Sequence, residues 1–240
     1  MRNSVFMLVL AALLVLSSAT TWARDARHAA FLEAARAFVV DHRLPDGEAI
    51  DKSDLTGNFA ENQLALCDVD GDGQPELLLR FQSGSEPSQQ EFVCGFDEHS
   101  GKLTVEYDCL PGASEYYTNG SIRDAAKSGL SLGGDFLPFR VYRYSPKTGK
   151  YEYRGYVDAW SKKDFPTGKE DEAFPDAVDA TGDGFLYYIE DESFEGAKGL
   201  NSPVDTPVYT AWYKRYFSGA QPVKVEWIPA DAAGLKALEK

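Results

Sequence analysis

The nine residues Asp68-Val69-Asp70-Gly71-Asp72-Gly73-Gln74-Pro75-Glu76 place acids at positions 1, 3, 5 and 9 of a loop. Gly73 stands at position 6, where a sharp turn is needed, and Gln74 offers its carbonyl at position 7. Acids at alternate positions of a turning chain point their oxygens into one small space. That suits Ca²⁺, which takes 6–8 oxygen ligands in a flexible shell. Without a cation the four carboxylates repel one another. Asp-Gly runs are also ordinary turn material, but a plain turn does not require four acids at this spacing. Leu79 occupies position 12 where an EF-hand has a bidentate Glu. The expected frame is therefore a pair of strands rather than a pair of helices. A weaker second loop runs from Asp179 to Glu190. Asp179, Thr181, Asp183 and Glu190 fall at positions 1, 3, 5 and 12, with Gly184 at position 6. For this loop an acidic turn before an aromatic strand is as good a reading as ion binding.

Other chemistries find less support. Gly129-Leu130-Ser131-Leu132-Gly133 spells a nucleophile elbow, which needs a strand before it and a helix after it. Gly133, Gly134 and Pro138 oppose that helix, and no His follows His99 to complete a triad. His28, His42 and His99 read as solvated surface residues. There is no phosphate-binding glycine loop and no zinc-protease helix motif. The Glu190-Asp191-Glu192 run would serve a glycosidase only across a cleft, with carboxylates about 5–9 Å apart. Tyr142, Tyr144, Tyr151, Tyr153, Tyr156 and Trp160 gather on one hairpin. Cross-strand packing accounts for most of such a cluster, and a recognition face is the alternative.

The segment LALCDVDGDGQPELLLRF resembles a segment of uncharacterised exported bacterial proteins. The resemblance extends through EYYTNGSI, FLPFRVYRYSPKTGKYEYRGYVDAW, FPDAVDATGDGFLYYIE and WYKRYFSGAQPVKVEWIPA. The first loop is also similar to the calcium turn of FG-GAP and VCBS repeats. This chain has Cys67 where those turns carry an aromatic, and it has too few repeats for a propeller. The resemblance implies export and calcium-type loops, and it implies no reaction.

The elements that must hold these loops are legible as hydrophobic patterns. Ala26 to Val40 has apolar residues at helical spacing, stopped by Leu44-Pro45-Asp46-Gly47. Strands are expected at Gln63 to Cys67 and Glu76 to Phe81, on either side of the first loop. Glu91 to Phe96 pairs with Leu103 to Tyr107, and Phe139 to Tyr144 pairs with Tyr151 to Val157. Both hairpins close on charged turns ending in Gly-Lys. Phe185 to Ile189 and Val223 to Ile228 read as further strands. Asp205 to Phe217 reads as a helix, and Asp231 caps a short terminal one. Antiparallel hairpins forming a sheet, with helices at both ends, make an α+β class. No linker divides residues 24–240, so one domain is expected.

Composition bounds the function. Lys and Arg number 24 against 38 Asp and Glu, for a net charge of −14. That argues against nucleic acid, whose binding depends on cationic neutralisation of phosphates. Arg2, the apolar run of 12 residues from Val5 to Leu16, and the small residues up to Ala23 have the layout of a secretory signal, with cleavage after Ala23. No later apolar run is long enough to span a membrane. In an oxidising compartment, Cys67, Cys94 and Cys109 are expected to give one disulfide and one thiol. If Phe96 pairs with Leu103, Cys94 faces Val105. Cys109 then lies roughly 13 Å away along the strand, beyond the about 7 Å a disulfide allows.

The expected function is that of an exported, non-enzymatic, calcium-binding protein, periplasmic or secreted, that contacts another envelope protein or a surface component. One alternative is a periplasmic inhibitor or immunity protein, whose acidity would steer a basic partner to it. Another is a glycan-acting hydrolase using paired carboxylates. A cleft with two acids away from the calcium loops would favour the hydrolase.

Overall fold

The computed structural model describes residues 24–50, 62–82, 89–109, 112–126, 132–168 and 172–239. The secretory signal expected over 1–23 lies outside the described residues, as does Ser131 of the elbow-like sequence. Helix α1 spans 24–40. Among the described residues, eleven strands and two more helices follow. Strands β1 (Gln63–Cys67), β2 (Glu76–Gln82), β3 (Gln89–Asp97), β4 (Lys102–Cys109) and β11 (Ile228–Pro229) form one antiparallel sheet in the order β11-β1-β2-β3-β4. The second sheet has the order β10-β9-β8-β7-β6-β5. Its members are β5 (Gly112–Tyr117), β6 (Ser121–Ala126), β7 (Phe139–Ser145), β8 (Lys150–Ser161), β9 (Phe185–Glu190) and β10 (Gly199–Asp205). Helices α2 (Thr206–Phe217) and α3 (Ala232–Leu238) lie near the C-terminus.

The α+β class stands, but the strands make two sheets rather than one. The burial pattern shows how they stack. Phe31, Ala35 and Phe38 of α1 are buried on Leu64, Leu77, Leu79, Phe92 and Cys94. The opposite face of that sheet, through Ala65, Leu78, Val93 and Tyr107, packs on Tyr116, Ile122 and Tyr151 of the second sheet. The far face of the second sheet, through Phe139, Val141, Val157 and Ile189, lies under Trp212, Tyr216 and Phe217 of α2. The layers run helix, sheet, sheet, helix. A strand covered on both faces loses the alternation of a half-exposed one, and this accounts for the unbroken Leu77-Leu78-Leu79 in β2.

Asp231 caps α3 as expected, accepting hydrogen bonds from the Ala233 and Gly234 N–H groups, whereas Asp205, read as the first residue of a helix, is instead the cap of α2 and accepts from Thr206. A buried carboxylate holds α2 to the β9–β10 connection. Asp191 accepts from Trp212 Nε1 at 2.9 Å and from the Tyr216 hydroxyl at 2.6 Å. Burial pushes its carboxyl up, but the hydrogen bonds from Tyr216, Ser193 and Trp212 outweigh this and hold it below the usual carboxylate range.

Three sequence expectations need correction. Val223 to Ile228 is not a strand: only Ile228–Pro229 joins a sheet, beside Leu64 and Gln63 of β1. The segment leaves the edge of the second sheet, where Val223 N–H donates to the Tyr116 carbonyl, and crosses to the edge of the first. A chain bridging two sheets cannot ladder along either. Strands β5 and β6 were not anticipated, because Ala, Ser and charged residues dilute their alternation. Their Asn119-Gly120 turn, with Gly120 at φ +74°, was the available signal. Finally, all three cysteines are free thiols. The expected register holds, with Phe96 opposite Leu103 and Cys94 opposite Val105. A bulge one step further places Cys109 on the inter-sheet face, while Cys94 faces α1.

Candidate metal centre

The β1–β2 connection coils around its own carboxylates. Asp68 accepts the Gly71 N–H at 2.8 Å through Oδ1 and the Gly73 N–H at 2.9 Å through Oδ2. Asp70 accepts from Asp72 N–H at 2.9 Å, and Asp72 from Gln74 N–H at 2.7 Å. Glu76, the first residue of β2, reaches back to the Val69 N–H at 2.8 Å. Gly71 and Gly73 have φ of +84° and +86°, values that side-chain-bearing residues rarely adopt. The result brings one oxygen each from Asp68, Asp70 and Glu76 within 4.8 Å of one another. Asp72 stays outside that group and is exposed. Leu79, at the EF-hand's last ligand position, is a fully buried strand residue, so the flanks are strands as expected.

The centre is buried against the second sheet. A Cβ on Gly71 would lie 2.7 Å from the Thr118 carbonyl oxygen, and one on Gly120 would lie 2.5 Å from that of Asp70. The loop and the β5–β6 turn therefore meet backbone to backbone. Tyr144 hydrogen-bonds Asp70 from that side. Asp70 and Glu76 are only 8% and 4% exposed. Burial, reinforced by the charges of Asp70, Glu106 and Asp72, pushes the Glu76 carboxyl up to about 9 against the pull of the Val69 N–H. Burial also raises Asp70 above its ordinary value, and the neighbouring Asp72 and Asp68 add to it. Sequence reasoning missed one member of this neighbourhood, Glu106 of β4. Burial and the charges of Asp70 and Asp72 push its carboxyl up to about 8.

The second loop is the same turn. Asp179 accepts from Gly182 N–H at 2.8 Å and Gly184 N–H at 3.0 Å, and Asp183 accepts from Phe185 N–H at 2.9 Å. The cluster here is Asp179, Asp183 and Asp205. Thr181 serves it as a hydroxyl donor to Asp205, at 2.7 Å. Glu190 does not join. It ends β9, about 16 Å beyond Phe185 at strand rise, and accepts a hydrogen bond from Tyr153. Asp205, brought in by the β9–β10 pairing, takes the place expected of Glu190. Asp179 and Asp205 of this second cluster are half-buried and Asp183 is exposed, and neighbouring N–H and hydroxyl groups already satisfy much of it.

The aromatic hairpin divides. Tyr142, Tyr144 and Tyr151 pack between the sheets, while Tyr156 and Trp160 line a cavity of about 560 Å³ with Asp158, Glu172, Tyr188 and Asn201. Among the described residues no helix is long and apolar enough to cross a membrane. Comparisons with protein-family models, with curated proteins and with solved structures return no match.

Proposed function

We propose that this is an exported calcium-binding protein that contacts another envelope protein or a surface component. Its ion sits in the β1–β2 loop, held by Asp68, Asp70, Glu76 and the Gln74 carbonyl, with Asp72 turning inward or acting through water. The observation that carries this reading is the convergence of three carboxylates within 4.8 Å, two of them, Asp70 and Glu76, buried. Like charges so placed in a poorly solvated site are costly unless a cation neutralises them. The loop presses on the β5–β6 turn, so an ion that orders it also secures the contact between the sheets. The recognition surface then rests on a calcium-stiffened scaffold.

Thermal melts in millimolar Ca²⁺, in Mg²⁺ and in chelator test the reading. Extracellular calcium modules bind at roughly 10⁻⁴–10⁻³ M. At about ten times Kd the folded state gains about 1.4 kcal/mol, a Tm rise of roughly 3–6 °C for a chain of this size. Mg²⁺ is expected to do less, since it demands near-octahedral geometry and keeps its water. Asp70→Ala is expected to abolish most of the calcium shift, and Asp179→Ala to reduce it only slightly. Coincident wild-type melts in calcium and chelator, with no heat of binding by calorimetry, would leave the loop as an acidic turn.

The cavity beside β8 and β9 favours a second reading, a site for a glycan. Tyr156 and Tyr188, half-exposed, offer flat apolar faces over the buried Trp160, and Asp158, Glu172 and Asn201 offer polar partners. If the site acts in this way, soluble oligosaccharides will bind the wild type, and Tyr188→Ala will lose that binding while keeping the calcium shift. Reducing ends released by the wild type but not by Asp158→Asn or Glu172→Gln would make the site hydrolytic. No binding across a glycan panel would leave the cavity without this role.

A further inference from the structure

Two irregularities in the first sheet serve a single side chain. Tyr107 pairs with Val93 and Val105 pairs with Cys94, so Glu106 is the extra residue of a β-bulge. Bulges re-aim side chains, often beside functional sites. This one carries Glu106 over Gly95 of β3, where a Cβ would lie 1.9 Å from Glu106 Oε1. Gly95 lies one step beyond the Leu77–Cys94 pair, which makes it the β3 neighbour of Glu76. Glu106 thus reaches across a position without a side chain toward the loop's own glutamate. It is 8% exposed, and its Oε2 has no hydrogen-bond partner. The charges acting on it are those of Asp70 and Asp72, and it acts in turn on Glu76.

A carboxyl kept only to fill space would be replaced at lower cost by an apolar side chain. A protonated carboxyl with a structural role would pair both its oxygens. Neither description fits a bulge and a glycine that clear room for an unpartnered oxygen directed toward Glu76, Asp70 and Asp72, one that lies outside the 4.8 Å group of Asp68, Asp70 and Glu76.

We propose that Glu106 is a ligand of the cation held by the β1–β2 loop, so that the ion joins that loop to β4. The inference rests on the calcium reading above. It makes the centre a site of four carboxylates drawn from three segments, Asp68 and Asp70, Glu76, and Glu106. A cation in it ties the first strand pair to a strand two places away in the sheet. More carboxylate charge and less bound water favour tighter calcium binding than a loop alone provides.

The test uses the mature chain, with Ca²⁺ followed by calorimetry and Tb³⁺ as a luminescent substitute excited through Tyr144 and Tyr151. Tyr151 is acted on by Glu76, Asp70 and Glu106, and Tyr144 bonds Asp70. Luminescence lifetimes in light and heavy water count the waters on Tb³⁺. Glu106→Gln keeps the shape and is expected to weaken Ca²⁺ by about tenfold or more. It is also expected to add about one water to bound Tb³⁺ as a solvent oxygen takes the vacated position. Gly95→Ala, which closes the path of Glu106, is expected to weaken Ca²⁺ in the same direction. If wild type and Glu106→Gln share one affinity and one water count while Asp70→Ala loses binding, Glu106 is no ligand and the calcium reading survives. If wild type binds neither Ca²⁺ nor Tb³⁺, or Asp70→Ala binds unchanged, the loop reading fails and this inference with it.

Discussion

In chelator the protein is expected to lose stability as the pH rises from about 5.5 to 8, and calcium is expected to remove most of that slope. Burial and neighbouring carboxylates push Glu76 up to about 9 and Glu106 up to about 8, from an ordinary value of 4.5. Asp70 is displaced in the same direction. Between the ordinary and the raised values the folded chain holds protons that the unfolded chain has already released. The folded state then binds more protons, so stability falls as the pH rises. Because Glu106 acts on Glu76 the two titrate as a pair, and the fall over this range is on the order of a few kcal/mol for the pair together. Below the ordinary carboxylate range both states are protonated and the slope vanishes. Calcium competes for the same oxygens, replacing protons with an ion that the unfolded chain does not hold. The calcium-induced rise in Tm should therefore be larger at pH 8 than at pH 5.5. Asp191 does not confuse the measurement. Its carboxyl is held low, so its stabilisation is lost only as the pH falls below the usual carboxylate range. Urea melts at four pH values, with and without calcium, settle the matter. A flat or rising profile in chelator would show that the folded chain carries these acids ionised without penalty. Glu106→Gln should reduce the slope in chelator.

Glu91→Ala is expected to cost about 3–5 kcal/mol, a fall in Tm of roughly 6–20 °C. Glu91 is 2% exposed. It receives Arg80 through Nε at 2.9 Å and the Tyr116 hydroxyl at 2.5 Å. Arg80 lies with its guanidinium 3.9 Å above the Trp227 ring. One carboxylate thus joins β2 and β3 of the first sheet, β5 of the second, and the segment that crosses between them. Removing it leaves a half-buried guanidinium and a buried hydroxyl without their acceptor, and that loss, rather than the pairing energy, sets the size of the effect. The exposed pair Arg36–Glu239, at 2.6 Å, supplies the contrast. Glu239→Ala is expected to stay within about 1 kcal/mol, because water screens such pairs. Glu91→Gln keeps an acceptor for Tyr116 and should fall between the two. If Glu91→Ala matches Glu239→Ala in urea melts, the inter-sheet contact is held by apolar packing alone.

The β1–β2 loop was legible because its information is local. Asp68 meets the N–H groups of Gly71 and Gly73 within one turn of chain, so residue type and spacing are sufficient to specify the coil. The strands on either side were legible for a related reason. Gln63 to Cys67 and the leucine run of β2 declare themselves by pattern, and the β3–β4 turn declares its register. The α3 cap follows from a single aspartate, Asp231. Glu106 and Asp205 were not legible, because each reaches its cluster through pairing between strands. A bulge shifts the phase of β4 by one residue, and no composition of β4 alone announces where that shift falls. Gly95, an interior glycine in a strand, was the one local hint of a close approach. Glu190 failed as a ligand because a strand carries its sixth residue away from the turn that begins it. The division into two sheets was hidden in the same way. Sequence alternation tells a strand which face is apolar, but not whether that face meets a helix or another sheet. Short-range hydrogen bonds and side-chain periodicity are written in consecutive residues. The partners of a buried face, and the acids that share one cavity, are decided only when separate strands pair and stack.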